Sequence, residues 1–216
     1  MTFTTAFSIS KPVITIWVIT AVLTILSIFA TRKLKDVPGP MQNVAEAAVE
    51  KLEDFFGGIL GYKNMRRYFP LFGTLFIFIV MSNYSGLLPA AGEAFSVPTA
   101  CLSVTAALAV ISFFTTHTIG IQNRGAGGYA MSFLKPFALM LPLTLIDQVV
   151  RPFSLALRLY GNIYAEEMVT SQLRSMFPVL LPLVMQVLSL LFCLIQAMVF
   201  TMLTAVYVHE AIGDEE

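Results

Sequence analysis

The sequence predicts an all-α, polytopic membrane protein with five membrane-crossing helices, the last two long and strongly tilted, plus one amphipathic surface helix. Three observations carry this. Of 216 residues, 57% are hydrophobic and only 12% charged, about half the charge of an average soluble chain. So little charge cannot coat a water-soluble globule, and lipid must cover the remainder. Charge-free runs of spanning length recur along the chain. Finally, ionisable residues embedded in apolar text collect on one face of a late helix, where burial in lipid makes each one costly. Formal charges cancel, 13 Lys and Arg against 13 Asp and Glu, so nothing suggests a nucleic-acid partner.

The first span, 13–30, is a charge-free run of 18 residues, about 27 Å of helix, close to the thickness of a hydrocarbon core. Arg32, Lys33 and Lys35 follow at once and no small-x-small cleavage pattern precedes them, so a retained span is expected rather than a signal peptide. The positive-inside rule puts that basic group in the cytoplasm and Lys11 outside. After the break at Pro38-Gly39-Pro40, segment 43–56 sets Val44, Ala48, Val49, Leu52, Phe55 and Phe56 at helical spacing against Glu46, Glu50, Glu53 and Asp54. That is the pattern of an amphipathic helix on the membrane surface.

The second and third spans, 68–88 and 98–119, contain no charge. Lys63, Arg66 and Arg67 precede the second, the connector with Pro89 and Glu93 lacks Lys and Arg, and Arg124 and Lys135 bracket the glycine-rich stretch after the third. The connector is therefore expected outside and the glycine-rich stretch inside. Gly125, Gly127 and Gly128 lack the spacing of a phosphate-binding loop and read as a flexible turn. Cys101 and Cys193, both within apolar runs, read as packed thiols rather than a disulfide. His117 is expected to be a satisfied interfacial histidine, and His209 a helix-end cation.

The last pair occupies 137–175 and 179–210. The first member carries Asp147, Arg151, Arg158, Glu166, Glu167 and Arg174. With Arg158 at zero and 100° per residue, Asp147 and Arg151 fall within about 40°, Asn162 near +40° and Glu166 near +80°. Asp147 and Arg151 are an i, i+4 acid and base, so the bland reading of Arg151 is that it neutralises Asp147. Arg158 has no acid one turn away, and its counter-charge must come from another segment or another protein. Pro152 frees the carbonyl of Gln148 and permits a bend before Arg158. From Leu141 to Ser175 the helix runs about 52 Å, too long to stand upright in about 30 Å of hydrocarbon. A polar stripe on such oblique helices runs sideways between the leaflets, a geometry for moving charge along a neighbouring surface.

The stretch Arg151-Pro-Phe-Ser-Leu-Ala-Leu-Arg158-Leu-Tyr-Gly-Asn162-Ile-Tyr-Ala-Glu-Glu167 resembles the signature of subunit a of F-type ATP synthases. Gln196 to Tyr207 resembles that family's last helix, and Asn83 with Leu87-Leu88-Pro89 fits an earlier span. The resemblance covers nearly the whole chain. It implies a stator that meets a rotating ring of c subunits and passes protons or sodium through two offset half-channels. Its other partners would be b-type peripheral stalk subunits and the rest of the synthase. No cofactor, metal or ATP-binding catalytic site is expected in this chain.

Carried over residue by residue, Arg158 matches the essential arginine, Asn162 and Gln196 its polar neighbours, and Glu167 the acid of the half-channel open to the outside. Many members have Gly where Glu166 stands, and the Glu166-Glu167 pair is more similar to chloroplast-type chains. Many bacterial members have His in place of Ser189. Helix geometry favours Glu166 as the channel acid and the resemblance favours Glu167. The short amino terminus without a transit-like stretch points to a bacterial plasma membrane, with the N-terminus outside and the C-terminus cytoplasmic. A self-contained secondary transporter, the alternative, predicts internal repeats around a midplane site, and the sequence has no such repeat.

Overall fold

The computed structural model describes residues 10–31, 39–87, 96–133, 141–176 and 180–213. Arg32, Lys33 and Lys35, the connector with Pro89 and Glu93, Lys135 and the acidic tail lie outside the described residues. The elements are α1 (Lys11–Thr31), α2 (Pro40–Leu60), α3 (Tyr62–Tyr84), α4 (Leu102–Ser132), α5 (Leu141–Met176) and α6 (Leu180–Ile212), with short 3₁₀ turns at Ser85–Leu87 and Pro98–Ala100. Among the described residues every regular element is helical. That suits a chain in lipid, where a helix satisfies its backbone polar groups internally.

Among the described residues four stretches are long and apolar enough to cross a membrane: Lys11–Phe29, Met65–Tyr84, Leu102–Tyr129 and Leu183–Ile212. The chain is a multi-pass membrane protein. At 36 residues α5 has ample length, but its ionisable side chains lower its apolarity and it is not one of the four. α1 is the least packed helix. It turns Thr15 and Ile19 inward and leaves Trp17 75% and Phe29 71% exposed, surface suited to lipid.

Two clusters hold the other helices together. In the first, Ile79 of α3, Leu108 of α4, Leu155, Leu159 and Ile163 of α5 and Phe200 of α6 converge. Ala109, Ala156 and Ala197 lie among them, each nearly or fully buried, and their small side chains let the backbones approach, the usual basis of helix packing in lipid. The Ser112 hydroxyl donates to Thr204 Oγ1 at 2.9 Å across the α4–α6 contact. The second cluster joins Phe56 and Leu60 of α2 to Phe72 of α3 and Val208 and Ile212 of α6.

The second cluster shows where the C-terminal end of the amphipathic helix packs. α2 starts at Pro40, whose fixed φ suits a first helical turn, and ends at Gly61, where φ is 76° and the N–H reaches the Gly57 carbonyl at 3.0 Å. Its rings pack on protein, Phe56 stacking on Phe72 with centroids 5.7 Å apart, while Glu46, Glu50, Glu53 and Asp54 stay exposed. An acidic face gains little from anionic lipid; the C-terminal end of the stripe is buried against α3 and α6, while Ala48 and Val49 nearer its start stay exposed, as a surface helix leaves them.

The glycine-rich stretch is an ordered corner rather than a flexible turn. α4 breaks at Gly125, with φ 73° and ψ 156°, a conformation that favours glycine. The chain then folds back so that Tyr129 packs edge-on to His117, ring centroids 5.9 Å apart. A methyl group at Gly120 would sit 2.5 Å from the Tyr129 ring, so glycine is needed for this close approach. His117 Nδ1 lies 2.9 Å from the Phe113 carbonyl. A carbonyl only accepts, so that nitrogen carries the proton and serves the local helix. Cys101 and Cys193 are both free.

Candidate functional site

α5 and α6 run antiparallel, and their facing polar side chains form three rungs. The buried face of α5 is set by Leu155, Ala156, Leu159 and Ile163, which lie between about +60° and +160° when Arg158 is zero. Asn162 and Glu166, near +40° and +80°, stand at the rim of this face or on it, turned toward α6. Arg158 stands off it and is exposed. Among the described residues nothing provides Arg158 with a counter-charge.

The central rung lies one turn from Arg158. Asn162 Nδ2 donates to Gln196 Oε1 at 2.5 Å, and Gln196 is buried. Its Nε2 has no partner among the described residues, which leaves a donor open in a poorly solvated place. The resemblance makes Gln196 a polar neighbour of Arg158. In the structure Asn162 holds the Gln196 oxygen, and the remaining amide group is a donor, suited to an oxygen rather than to a cation.

The second rung answers which of two adjacent acids faces α6. Glu166 is half-buried beside Ser189, with Cys193 Sγ 4.0 Å from its Oε2. Glu167, about 100° further round, is exposed. Behind this rung, buried Asn83 of α3 donates to the Cys193 carbonyl at 3.2 Å, and Tyr84 Oη donates to the Leu190 carbonyl at 3.1 Å. Asn83 Oδ1 is buried without a partner among the described residues. Glu166, Ser189 and Asn83 thus come together, and Glu167 stays apart from them.

The third rung was not foreseen. Arg151 pairs with Glu210 at the end of α6 rather than with Asp147, and its guanidinium lies 4.8 Å from the centre of the Tyr207 ring. On the helix Asp147 falls near −20° and Arg151 near +20°, so Arg151 leans toward α6 while Asp147 is exposed. α5 continues unbroken past Pro152. Pro152 and Arg151 border a cavity of about 20 Å³ with Ser112, Thr116, His117 and Tyr207, room for roughly one water. The sequence did carry a signal for this rung, since Glu210 is the first acid after a long charge-free run.

The arrangement places an unneutralised cation on an exposed helix face, between a carboxylate rung on one side and an ion pair on the other. It can attract and ionise a carboxylate presented by another molecule. A family model described as ATP synthase A chain matches residues 13–209. Similar relatives include an ATP synthase subunit a of Moorella thermoacetica, 40% identical over 200 residues and covering 93% of this chain and 89% of the relative. ATP synthase subunit a 2 of a Bradyrhizobium species is 37% identical over 206 residues, covering 95% and 90%. The subunit a of Geobacter sulfurreducens is 38% identical over 202 residues, covering 92% and 86%.

Proposed function

The chain belongs to the ATP synthase A chain family, and from that membership we propose how this ion-channel stator subunit of an F-type ATP synthase divides its work among its residues. Arg158 faces a ring of c subunits, each bringing one carboxyl group. The observation that carries this is the exposed Arg158 with no counter-charge among the described residues, beside the Asn162–Gln196 bond. Such a cation is idle in isolation and becomes useful when an acid is delivered to it.

Arginine stays charged at any accessible pH, so a ring carboxyl arriving opposite Arg158 is driven to its ionised form and releases its ion. Beyond Arg158 the carboxylate must take up a new ion before entering lipid, because a bare charge there is prohibitively costly. The same cation repels ions that would leak straight between the two half-channels. Glu166, with Ser189 and Asn83, lines the half-channel open to the outside, and Glu167 lies at its margin. α5 crosses too, as the fourth of five crossings with α6 the fifth, and the N-terminus lies outside and the C-terminus in the cytoplasm of a bacterial plasma membrane. Arg66, Arg67 and Arg124 then lie inside and Lys11 outside, in line with the positive-inside rule. The b-type subunits of the peripheral stalk hold the chain against rotation.

Ala165 tests the ring contact. It lies two turns from Arg158, within about 20° of the same side, and is exposed. Ala165→Cys is expected to form an oxidative cross-link with a cysteine placed beside the ring carboxyl; cross-linking only to other stator subunits would refute the contact. A second comparison separates the two acids. Glu166→Gln is expected to slow ion entry from the outside by about tenfold or more, and Glu167→Gln by clearly less, measured as passive uptake in vesicles holding the membrane sector. Equal rates in both variants would exclude the division of labour.

A further inference from the structure

Glu210 is held twice. Its carboxylate pairs with Arg151 of α5, and its backbone carbonyl accepts from Arg124 Nη2 of α4 at 3.4 Å. Arg124 Nε also donates to the Ile212 carbonyl at 2.8 Å, so Arg124 satisfies carbonyls that a helix end leaves open and places its charge at the negative pole of α6. Tyr207, one turn before Glu210, presents its ring to the Arg151 guanidinium at 4.8 Å.

We propose that Arg151, Glu210 and Arg124 form a positioning clamp that fixes the register of α6 on α5 and thereby holds the Asn162–Gln196 bond beside Arg158. This rests on the stator reading above. The geometry favours register over stability. The side chains of Arg151 and Glu210 are 30% and 50% exposed, and such a pair contributes little to stability in its own right. Gln196 and Glu210 are fourteen residues apart on α6, about 21 Å. The polar contacts of α6 with α5 at Asn162–Gln196 and Glu166–Cys193 lie at or before the middle of α6, and the Arg151–Glu210 pair at this further distance fixes its far end on α5. The sensitivity is large, because a slip of one residue along α6 shifts Gln196 by about 1.5 Å and 100° and breaks its bond to Asn162. Arg151 lies on the same side of α5 as Arg158, about two turns away, so the clamp acts on the helix that carries the functional cation without touching the ring carboxyl itself.

The test uses the assembled synthase in its native membrane. Arg151→Gln and Glu210→Gln are each expected to lower ATP synthesis driven by an imposed ion gradient by about tenfold, within the coupling range of residues in direct contact. The amount of assembled complex in the membrane should be unchanged. Arg151→Lys, which keeps the charge, should retain most of the rate. The exchanged pair, Arg151→Glu with Glu210→Arg, should recover most of what either charge reversal alone loses. A loss accompanied by missing complex, or one that the exchanged pair does not recover, overturns the clamp, as does full synthesis in both single variants. Arg158→Ala run in parallel separates the two readings: if it loses coupling while the Arg151 and Glu210 variants keep theirs, the clamp alone fails. If Arg158→Ala itself stays coupled, the stator assignment of that residue fails.

Discussion

Arg158→Ala abolishes gradient-driven ATP synthesis, a fall of more than about a hundredfold, while the complex still assembles in the membrane. The expectation follows from what surrounds the residue. Arg158 is exposed at the rim of the α5–α6 contact, outside the buried set of Leu155, Ala156, Leu159 and Ile163, so its removal opens no cavity and breaks no ion pair among the described residues. What disappears is a fixed positive charge in a poorly solvated place, where a charge acts far more strongly than in water. Without it a ring carboxyl has no reason to ionise opposite the stator, and nothing separates the two half-channels.

Arg158→Lys retains the charge yet loses most of the rate, about tenfold or more. An ammonium is compact, strongly hydrated and able to give up its proton when desolvated, and it cannot present the planar fork of donors. Reconstituted vesicles with an imposed gradient check both variants. Synthesis at the normal rate in the alanine variant would remove Arg158 from the mechanism, and parity of the lysine variant would show that charge alone suffices.

How much of this was legible beforehand depends on the range of each interaction. The helical class followed from apolar runs and their spacing, which are local properties of the chain. The polar face of α5 was equally local, because 100° per residue fixes which side chains share a side, and Arg158, Asn162 and Glu166 lie in that order around the helix. The partner of Arg151 was not legible. Its nearest acid in sequence, Asp147, was the natural choice by spacing, but Glu210, 59 positions away, approaches from the side toward which Arg151 leans. The choice between Glu166 and Glu167 likewise needed α6, since only the position of Ser189 says which carboxylate has a neighbour. The amphipathic pattern of α2 was legible, but not that its C-terminal end meets α3 and α6, because the hydrophobic periodicity is the same whether the stripe meets lipid or protein. The corner at Gly125 was identified as glycine-rich but not as ordered, because its order comes from Tyr129 packing over Gly120.

Gln196→Glu is expected to cost nearly as much as the loss of Arg158, although it replaces one atom group with another of almost equal size. Gln196 is buried, its oxygen is committed to Asn162, and Arg158 lies one turn from Asn162 on α5. A carboxylate at position 196 has two states. Ionised, it pairs with Arg158 and cancels the charge that must act on the ring; protonated, it is close to the glutamine it replaced. The nearby guanidinium favours the ionised state, so gradient-driven synthesis should fall by about tenfold or more at neutral pH. The deficit should deepen as pH rises and ease as pH falls. Gln196→Leu separates charge from shape: it removes the bond to Asn162 and adds no charge, so it should be the milder of the two. Rates measured for both variants across pH decide the matter. If the leucine variant is the more impaired, or if the glutamate variant shows no pH-dependent deficit, then Gln196 serves the packing of α5 on α6 and its neutrality is incidental to the action of Arg158.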